Sequence, residues 1–121
     1  MNFISAKIIM DYSEKKIGST TVIELRGDVL GGPDANELHN RLRALLADGN
    51  KRFIIDLAKV EYMNSSGLGM MTSALTSIKN GGGDLRLANP AERIKSLLVI
   101  TKLVQVFQTF DSLDAAVASF N

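Results

Sequence analysis

A strand-like apolar run gives way to a helical one within Tyr62-Met63-Asn64-Ser65-Ser66-Gly67-Leu68-Gly69-Met70-Met71. The run before it, Phe53-Ile54-Ile55-Asp56-Leu57, has the β-branched and aromatic content of a buried strand. Apolar residues recur after it at steps of three and four, as on one face of a helix: Leu68, Met71, Leu75 and Ile78. The two serines between these elements are therefore predicted to lie at the N-terminus of the helix.

A serine at a helix start can accept hydrogen bonds from backbone N–H groups that have no partner in the first turn. The aligned peptide dipoles favour negative charge at that place, so a phosphate fits it well. The same position suits plain capping, which typically contributes ~1 kcal/mol to stability. The residues alone leave two alternatives for Ser65 and Ser66, a structural cap and a regulated or ligand-binding serine.

Composition restricts the class of protein. The 121 residues, 45% of them hydrophobic, are expected to form a single domain over 1–121 with one core. Fourteen basic and thirteen acidic residues give a net charge of +1, which argues against direct binding of nucleic acid or an anionic membrane. With one histidine and no cysteine, neither a metal site nor another cofactor is expected. Residues 1–5 do not resemble a secretory signal and no run reaches membrane-spanning length, so a cytoplasmic protein is expected.

The order of predicted elements is that of an α/β domain whose mixed, partly parallel sheet is opened by an antiparallel hairpin. Strands are predicted over residues 4–12, 21–26, 53–57, 84–88 and 104–107, with a polar turn over 13–19. Four helices are predicted from apolar spacing, one of them over about residues 66–80 and ended by three glycines at 81–83. The others carry Leu38, Leu42, Leu45 and Leu46; Ile94, Leu97 and Leu98 after Asn89-Pro90; and Leu113, Ala116, Val117 and Phe120 after a cap at Asp111.

Catalytic and cofactor interpretations of the serine loop fail on spacing. The run Gly67-Leu68-Gly69-Met70-Met71-Thr72 approaches a dinucleotide fingerprint, but Thr72 stands where the third glycine is required. A nucleophile elbow at Ser65 would need glycine where Met63 stands. The single histidine, His39, lies in the first predicted helix and is interpreted as solvated. The two glycines after the serines are interpreted as leaving the loop open to another surface.

Two further groups of residues are given structural interpretations. At least two of Met63, Met70 and Met71 are predicted to fill the core. Positive charge in the second half is interrupted by acids and lacks interleaved aromatics, so it is predicted to form a solvated face: Arg86, Arg93, Lys95 and Lys102. No surplus apolar helix face is evident, so a monomer is expected.

The sequence resembles the STAS domain, specifically the stand-alone bacterial anti-sigma factor antagonists. The resemblance covers nearly the whole chain and is most specific at Asn64-Ser65-Ser66-Gly67-Leu68-Gly69 after a hydrophobic strand. It is supported by Leu25-Arg26-Gly27-Asp28-Val29, by Asp56-Leu57 and by Gly82-Gly83-Asp84-Leu85-Arg86-Leu87. The resemblance implies a single STAS-like α/β domain that is not itself an enzyme.

The resemblance also implies a phosphorylation-controlled switch of partners. The unmodified protein would bind an anti-sigma factor serine kinase, which uses ATP, and so free a sigma factor for transcription. The kinase would modify Ser65, and a PP2C-type phosphatase would restore it. Loop and partner-binding roles then fall to Asn64, Ser66, Gly67, Leu68, Gly69 and Asp28.

Two departures from the family pattern affect this expectation. Asn64 stands where an aspartate commonly precedes the acceptor serine, and a residue is inserted within 27–34, which leaves Asp28 and Asp34 as alternatives for the acidic residue of the loop. A constitutive scaffold of the same fold, whose serines only cap a helix, is the alternative function. An acyl or phosphoryl transfer enzyme using Ser65 is a third, and the lack of a base near the loop argues against it.

Overall fold

In residues 10–121, the centre of the molecule is a five-stranded mixed sheet whose strands lie side by side in chain order. The computed structural model describes residues 10–121. The strands are β1 (Met10–Ile17), β2 (Thr20–Val29), β3 (Arg52–Met63), β4 (Asp84–Ala88) and β5 (Thr109–Phe110). The helices are α1 (Pro33–Ala47), α2 (Ser65–Asn80), α3 (Glu92–Ile100) and α4 (Leu113–Ala118), with a 3₁₀ turn over Leu103–Gln105. β1 and β2 pair antiparallel and the other neighbours pair parallel, which confirms the predicted fold class.

The opening hairpin is tighter than predicted. Residues 13–17 continue β1, because each pairs with a residue of β2, and only Gly18 and Ser19 make the turn. Gly18 has φ +61°, a backbone conformation that glycine adopts without strain. The predicted turn over 13–19 is therefore wrong. The polar residues that suggested a turn belong to an outer strand, where most of their side chains are exposed. The predicted strand residues 4–9 lie outside the described part of the chain.

The sheet is covered on both faces. Alternate residues of its central strands face opposite ways, so Ile23, Ile55 and Leu87 join the main core, whereas Val22, Ile54 and Ala88 join a smaller second cluster. The main core also takes the buried sides of α1, α2 and α3, and the second cluster is closed by α4 around its buried Ala116. All four residues of the predicted α2 stripe are buried, and so are all three methionines assigned to the core: Leu68, Met71, Leu75 and Ile78; Met63, Met70 and Met71.

The C-terminal elements differ from the predicted ones. The segment predicted as a strand over 104–107 is instead the end of a 3₁₀ turn and the bend after it, with Phe107 in the main core, and the last strand begins at Thr109. The cap of α4 is Ser112, whose hydroxyl oxygen accepts a hydrogen bond from the Ala115 N–H at 3.0 Å. Asp111 instead forms an ion pair with Lys95 at 3.0 Å. Local preference alone could not separate these two neighbouring capping residues.

Arg86 is not part of a solvated face, contrary to the prediction. Its guanidinium donates to the carboxylate of Asp84 at 3.0 Å and to the carbonyl of Ser119 at 2.6 Å. It also lies over the ring of Phe120, 4.0 Å from the ring centroid. These contacts fix the C-terminal residues to β4.

Apolar side chains are exposed near the end of α3, which contradicts the expectation of no surplus apolar surface there. They are Val99, Ile100, Val104 and Val106. The monomeric state remains a prediction. Across residues 10–121, no helix combines the length and apolar character needed to cross a membrane.

An ion pair between β1 and α1 should make stability depend on pH. The hydrogen bond from Arg41 Nε to Glu14 Oε2, 2.9 Å long, holds the pKa of Glu14 below its ordinary value. The pair therefore stabilises the fold above the unfolded-state pKa of Glu14, and this contribution is lost as the pH falls through the lower folded-state pKa. We expect Glu14→Gln to reduce the urea midpoint at pH 7 and to leave it unchanged at a pH well below the folded-state pKa of Glu14. An equal reduction at both pH values would contradict the assignment.

Candidate functional site at the start of α2

The candidate site lies where two parallel strands end together. Val29, the last residue of β2, is in register with Met63, the last residue of β3. α2 begins two residues later, at Ser65, one residue before the predicted start. Its first turn therefore stands at the carboxyl edge of the sheet, where α/β proteins commonly place functional groups.

The cap of α2 is Asn64 rather than a serine, so the structure does not support the capping alternative that the sequence left open for Ser65 and Ser66. Asn64 has extended backbone angles, φ −100° and ψ 179°, which direct its side chain over the first turn. Its Oδ1 accepts a hydrogen bond from the Gly67 N–H at 2.8 Å. Its own N–H donates to the Val29 carbonyl at 3.2 Å, so the residue ties the helix start to β2.

Ser65 and Ser66 occupy the first two helical positions, and both are exposed. Neither hydroxyl makes a hydrogen bond within the described chain, and the third helical N–H is bonded to Asn64 instead. The first turn contains no acidic residue. The serine hydroxyls are thus open to solvent at the positive end of a helix dipole.

Gly67 has a different role from the one predicted. A Cβ atom at this buried position would lie 2.1 Å from the Val29 carbonyl oxygen, so the helix can approach β2 closely only with glycine here. Gly67 therefore allows the start of α2 to pack against β2, and it does not leave the loop accessible to a partner. Gly69 does fit the predicted role, since it is exposed and a Cβ there would meet nothing within 4 Å.

The loop between β2 and α1 lies over the serine turn. A Cβ placed on Gly31 would be 3.0 Å from the Cβ of Ser66, and Gly31 has φ +84°. Ser66 is thus in contact with this loop. Sequence reasoning missed Gly31 as a residue of the site, although its place in a Gly-Gly-Pro break was a signal of special backbone geometry.

The remaining predicted site residues are placed as follows. Leu68 is 2% exposed and supports the loop from the core. Asp28 is half-buried near the end of β2, in register with the exposed Tyr62 of β3, and Asp34 lies in the first turn of α1. Asp28 makes no hydrogen bond to Ser65 in residues 10–121.

Asp56 is the buried carboxylate of β3, at 6% exposure. Its Oδ1 accepts hydrogen bonds from the Ala58 N–H and from Asn89 Nδ2, both at 3.0 Å. β3 carries an extra residue relative to β2 just beyond Asp56, so these bonds stabilise a bulge. Its role is therefore structural.

His39 does not reach the serine loop. Its Nε2 lies 3.3 Å from the hydroxyl of Ser77, and the ring is half-buried and not simply solvated as predicted. Ser77 follows Ser65 by twelve residues on α2, which is about 18 Å along the helix axis. The structure therefore gives Ser65 no histidine base, and the described residues contain no cluster of three or more candidate metal ligands.

Removing the cap should weaken the helix start. We expect Asn64→Ala to lower the free energy of unfolding by about 1 kcal/mol, because the Gly67 N–H loses its acceptor. Asn64→Asp keeps a side-chain oxygen that can accept this hydrogen bond, so it should lower the free energy of unfolding much less. Urea denaturation of the three proteins measures the difference. A larger loss in Ser65→Ala than in Asn64→Ala would restore the serine as the cap.

Both the sequence and the fold of this chain are similar to those of known proteins. The sequence matches the STAS domain family over residues 12–116. It is 26% identical over 114 residues to the putative anti-sigma factor antagonist BtrV of Bordetella bronchiseptica, a match covering 94% of each chain. The fold is similar to the crystal structure of the putative anti-sigma factor antagonist TM1081 of Thermotoga maritima, with a TM-score of 0.80, 22% identity and coverage of 89% of this chain and 92% of the other.

A similar fold is also found in the Bacillus cell fate determinant SpoIIAA in its phosphorylated form, with a TM-score of 0.73, 16% identity and coverage of 92% of this chain and all of the other. The matched residues 12–116 include the capping asparagine, both serines and the two glycines of the loop. The chain therefore belongs to the STAS domain family.

Proposed function

We propose that this protein is an anti-sigma factor antagonist that works by switching partners, with Ser65 as its phosphorylated residue. The observation that carries the proposal is the exposed Ser65 hydroxyl, which makes no hydrogen bond within residues 10–121 and stands at the first position of α2. Because Asn64 provides the cap, Ser65 can be modified without loss of a bond that holds the fold.

The proposed cycle has two chemical steps. An anti-sigma factor serine kinase transfers the γ-phosphoryl group of ATP to the Ser65 oxygen, which releases ADP and the hydroxyl proton. A PP2C-type phosphatase then uses water to hydrolyse the phosphoserine, which returns the hydroxyl and inorganic phosphate. The unmodified protein binds the kinase and thereby frees a sigma factor. This chain catalyses neither step and acts as the binding module.

Electrostatics indicates that phosphorylation of Ser65 changes the charge of the surface and does not unfold the domain. A phosphoserine carries about −1.5 to −2 charges at pH 7, and a helix N-terminus stabilises such a group. The absence of acidic residues from the first turn of α2 removes the nearest source of repulsion. We therefore expect the modified domain to stay folded while its exposed surface around Ser65, Ser66 and Gly69 changes charge.

The docking surface is proposed to include the exposed start of α2. Ser66 and Gly69 lie on it, and Asn64, Gly67 and Leu68 shape it from below. Asp28 lies in the neighbouring strand β2. The similarity of almost the whole chain to BtrV, a putative anti-sigma factor antagonist, supports this role.

The test is site-resolved mass spectrometry on the protein recovered from its own host under growth and stress. Phosphate on Ser65 that changes with condition supports the switch. A loop that stays unmodified in every condition favours a constitutive STAS interaction module. In either case Ser65→Ala should leave the melting temperature nearly unchanged, since the serine is not the cap. Turnover of a substrate that vanished in Ser65→Ala would point to an enzyme.

A further inference from the structure

Positive charge collects at the end of the molecule opposite Ser65. α2 has 16 residues, so its two ends are about 24 Å apart. The far end combines the C-terminal parts of α1 and α2 with the start of β3 and the hairpin turn. Its cations, called here the basic end, are Lys16, Arg43, Lys51, Arg52 and Lys79.

No cation of the basic end forms an ion pair in the described chain. Lys16 donates to the Asn50 side chain at 2.6 Å, Lys51 to the Gly81 carbonyl at 2.7 Å, and Arg52 to the Ser19 hydroxyl at 3.3 Å. Five of the eight cations elsewhere in residues 10–121 are paired with carboxylates, whereas Lys15, Arg93 and Lys102 are not; the five are Arg26, Arg41, Lys59, Arg86 and Lys95.

The acidic residues near the basic end offset only part of its charge. Asp84 is held by Arg86, and Glu14 is held by Arg41. Asp48 remains as an exposed carboxylate at the end of α1. The chain as a whole carries only +1, so this local surplus is a property of the arrangement and not of the composition.

Two adjacent clefts give the basic end a shape. The larger, about 600 Å³, is lined by Arg43 and Lys51 together with the polar side chains of Ser77 and Asn80. The smaller, about 350 Å³, is lined by Lys16, Lys51 and Arg52 among others. Lys51 lines both clefts, so an extended polyanion could contact the two in succession.

We propose that the basic end binds an acidic segment of a partner polypeptide. Each cleft has at least two cations in its lining, and carboxylates can bind to them. In the larger cleft, the hydroxyl of Ser77 and the amide of Asn80 can form hydrogen bonds to peptide groups. No aromatic side chain lines either cleft, so the stacking platform of a single-stranded nucleic acid site is missing there. The exposed large apolar residues that would insert into a membrane lie elsewhere, near the end of α3 and at the far end of β3.

The experiment is a titration of the ¹⁵N-labelled protein with a ten-residue glutamate peptide, followed by NMR. We expect saturable shifts at Lys51, Ser77 and Asn80, and a binding constant weakened at least about tenfold in Arg43→Glu/Lys51→Glu, since two cation–carboxylate contacts become repulsive. The matched control is Arg93→Glu/Lys102→Glu, which makes the same charge change on and just after α3 and should bind nearly as well as wild type. Arg43→Glu alone, which breaks no recorded hydrogen bond, covers the case in which the double variant misfolds.

Three results would overturn the proposal. They are equal weakening by both double variants, tighter binding of a ten-residue oligothymidylate at the same residues, and binding of phosphatidylglycerol vesicles in preference to the peptide. The proposal does not depend on phosphorylation. Ser65→Asp should bind the glutamate peptide as the wild type does, so failure at the basic end and failure of the Ser65 switch are distinguishable.

Discussion

Gly67→Ala should lower the free energy of unfolding by about 3 kcal/mol or more, the largest stability loss expected from adding one methyl group to α2. The new Cβ would lie 2.1 Å from the carbonyl oxygen of Val29 and 2.7 Å from its carbonyl carbon. These are backbone atoms of a central strand, so no side-chain rotation relieves the clash. The helix start must move away from β2, which also weakens the Asn64 contact with the same carbonyl. Urea denaturation followed by circular dichroism measures the loss.

Gly69→Ala is the matched control, because it adds the same methyl group two residues further along the same helix. A Cβ at Gly69 meets nothing within 4 Å. Alanine is favoured over glycine in a helix interior by roughly 0.8–1 kcal/mol, so this variant should be more stable than wild type. If the two variants lost stability equally, the close approach of Gly67 to Val29 would not be what requires glycine there.

Under the proposed switch, phosphate on Ser65 should weaken binding of the proposed anti-sigma factor kinase about a thousandfold, the largest functional effect expected. A thousandfold change corresponds to about 4 kcal/mol. A doubly charged group enclosed in an interface without a counter-ion can supply an energy of that size. The measurement compares protein carrying genuine phosphoserine at position 65 with unmodified protein by isothermal titration calorimetry.

Phosphoserine at position 96 serves as the control for added charge alone. Ser96 is exposed on α3, on a different helix from Ser65. It should change affinity by less than about tenfold, as a charge outside the contact does. The switch would be refuted by a folded protein with phosphate on Ser65 that binds the kinase as tightly as the unmodified protein.

The elements that sequence predicts best are those whose pattern repeats. Leu68, Met71, Leu75 and Ile78 recur at helical spacing, and all four are buried. The end of α2 at the three glycines was predicted for the same local reason, since α2 stops at Asn80 and β4 begins at Asp84. Periodicity reports which side faces the core, and that is enough to recover the fold class.

The features that sequence did not predict depend on contacts between elements. β3 runs to Met63 and not to Leu57, because two register shifts against β2 break the alternation that marks a strand. The sequence offered Ser65 and Ser66 as possible caps and missed Asn64, whose backbone angles direct its side chain to the third helical N–H. The need for glycine at 67 comes from the Val29 carbonyl, 38 positions earlier in the sequence.

The hydrogen bond from the Asn64 N–H to the Val29 carbonyl makes the exchange rate of this amide a measure of how often the serine turn moves. That amide is protected from solvent exchange only while the start of α2 rests on the end of β2. Its exchange lifetime, read by NMR in deuterated water, therefore reports how often this turn separates from the sheet. A lifetime much shorter than those of the amides in β3 would mean that a kinase can capture the serine turn in an opened form, without unfolding the domain around it.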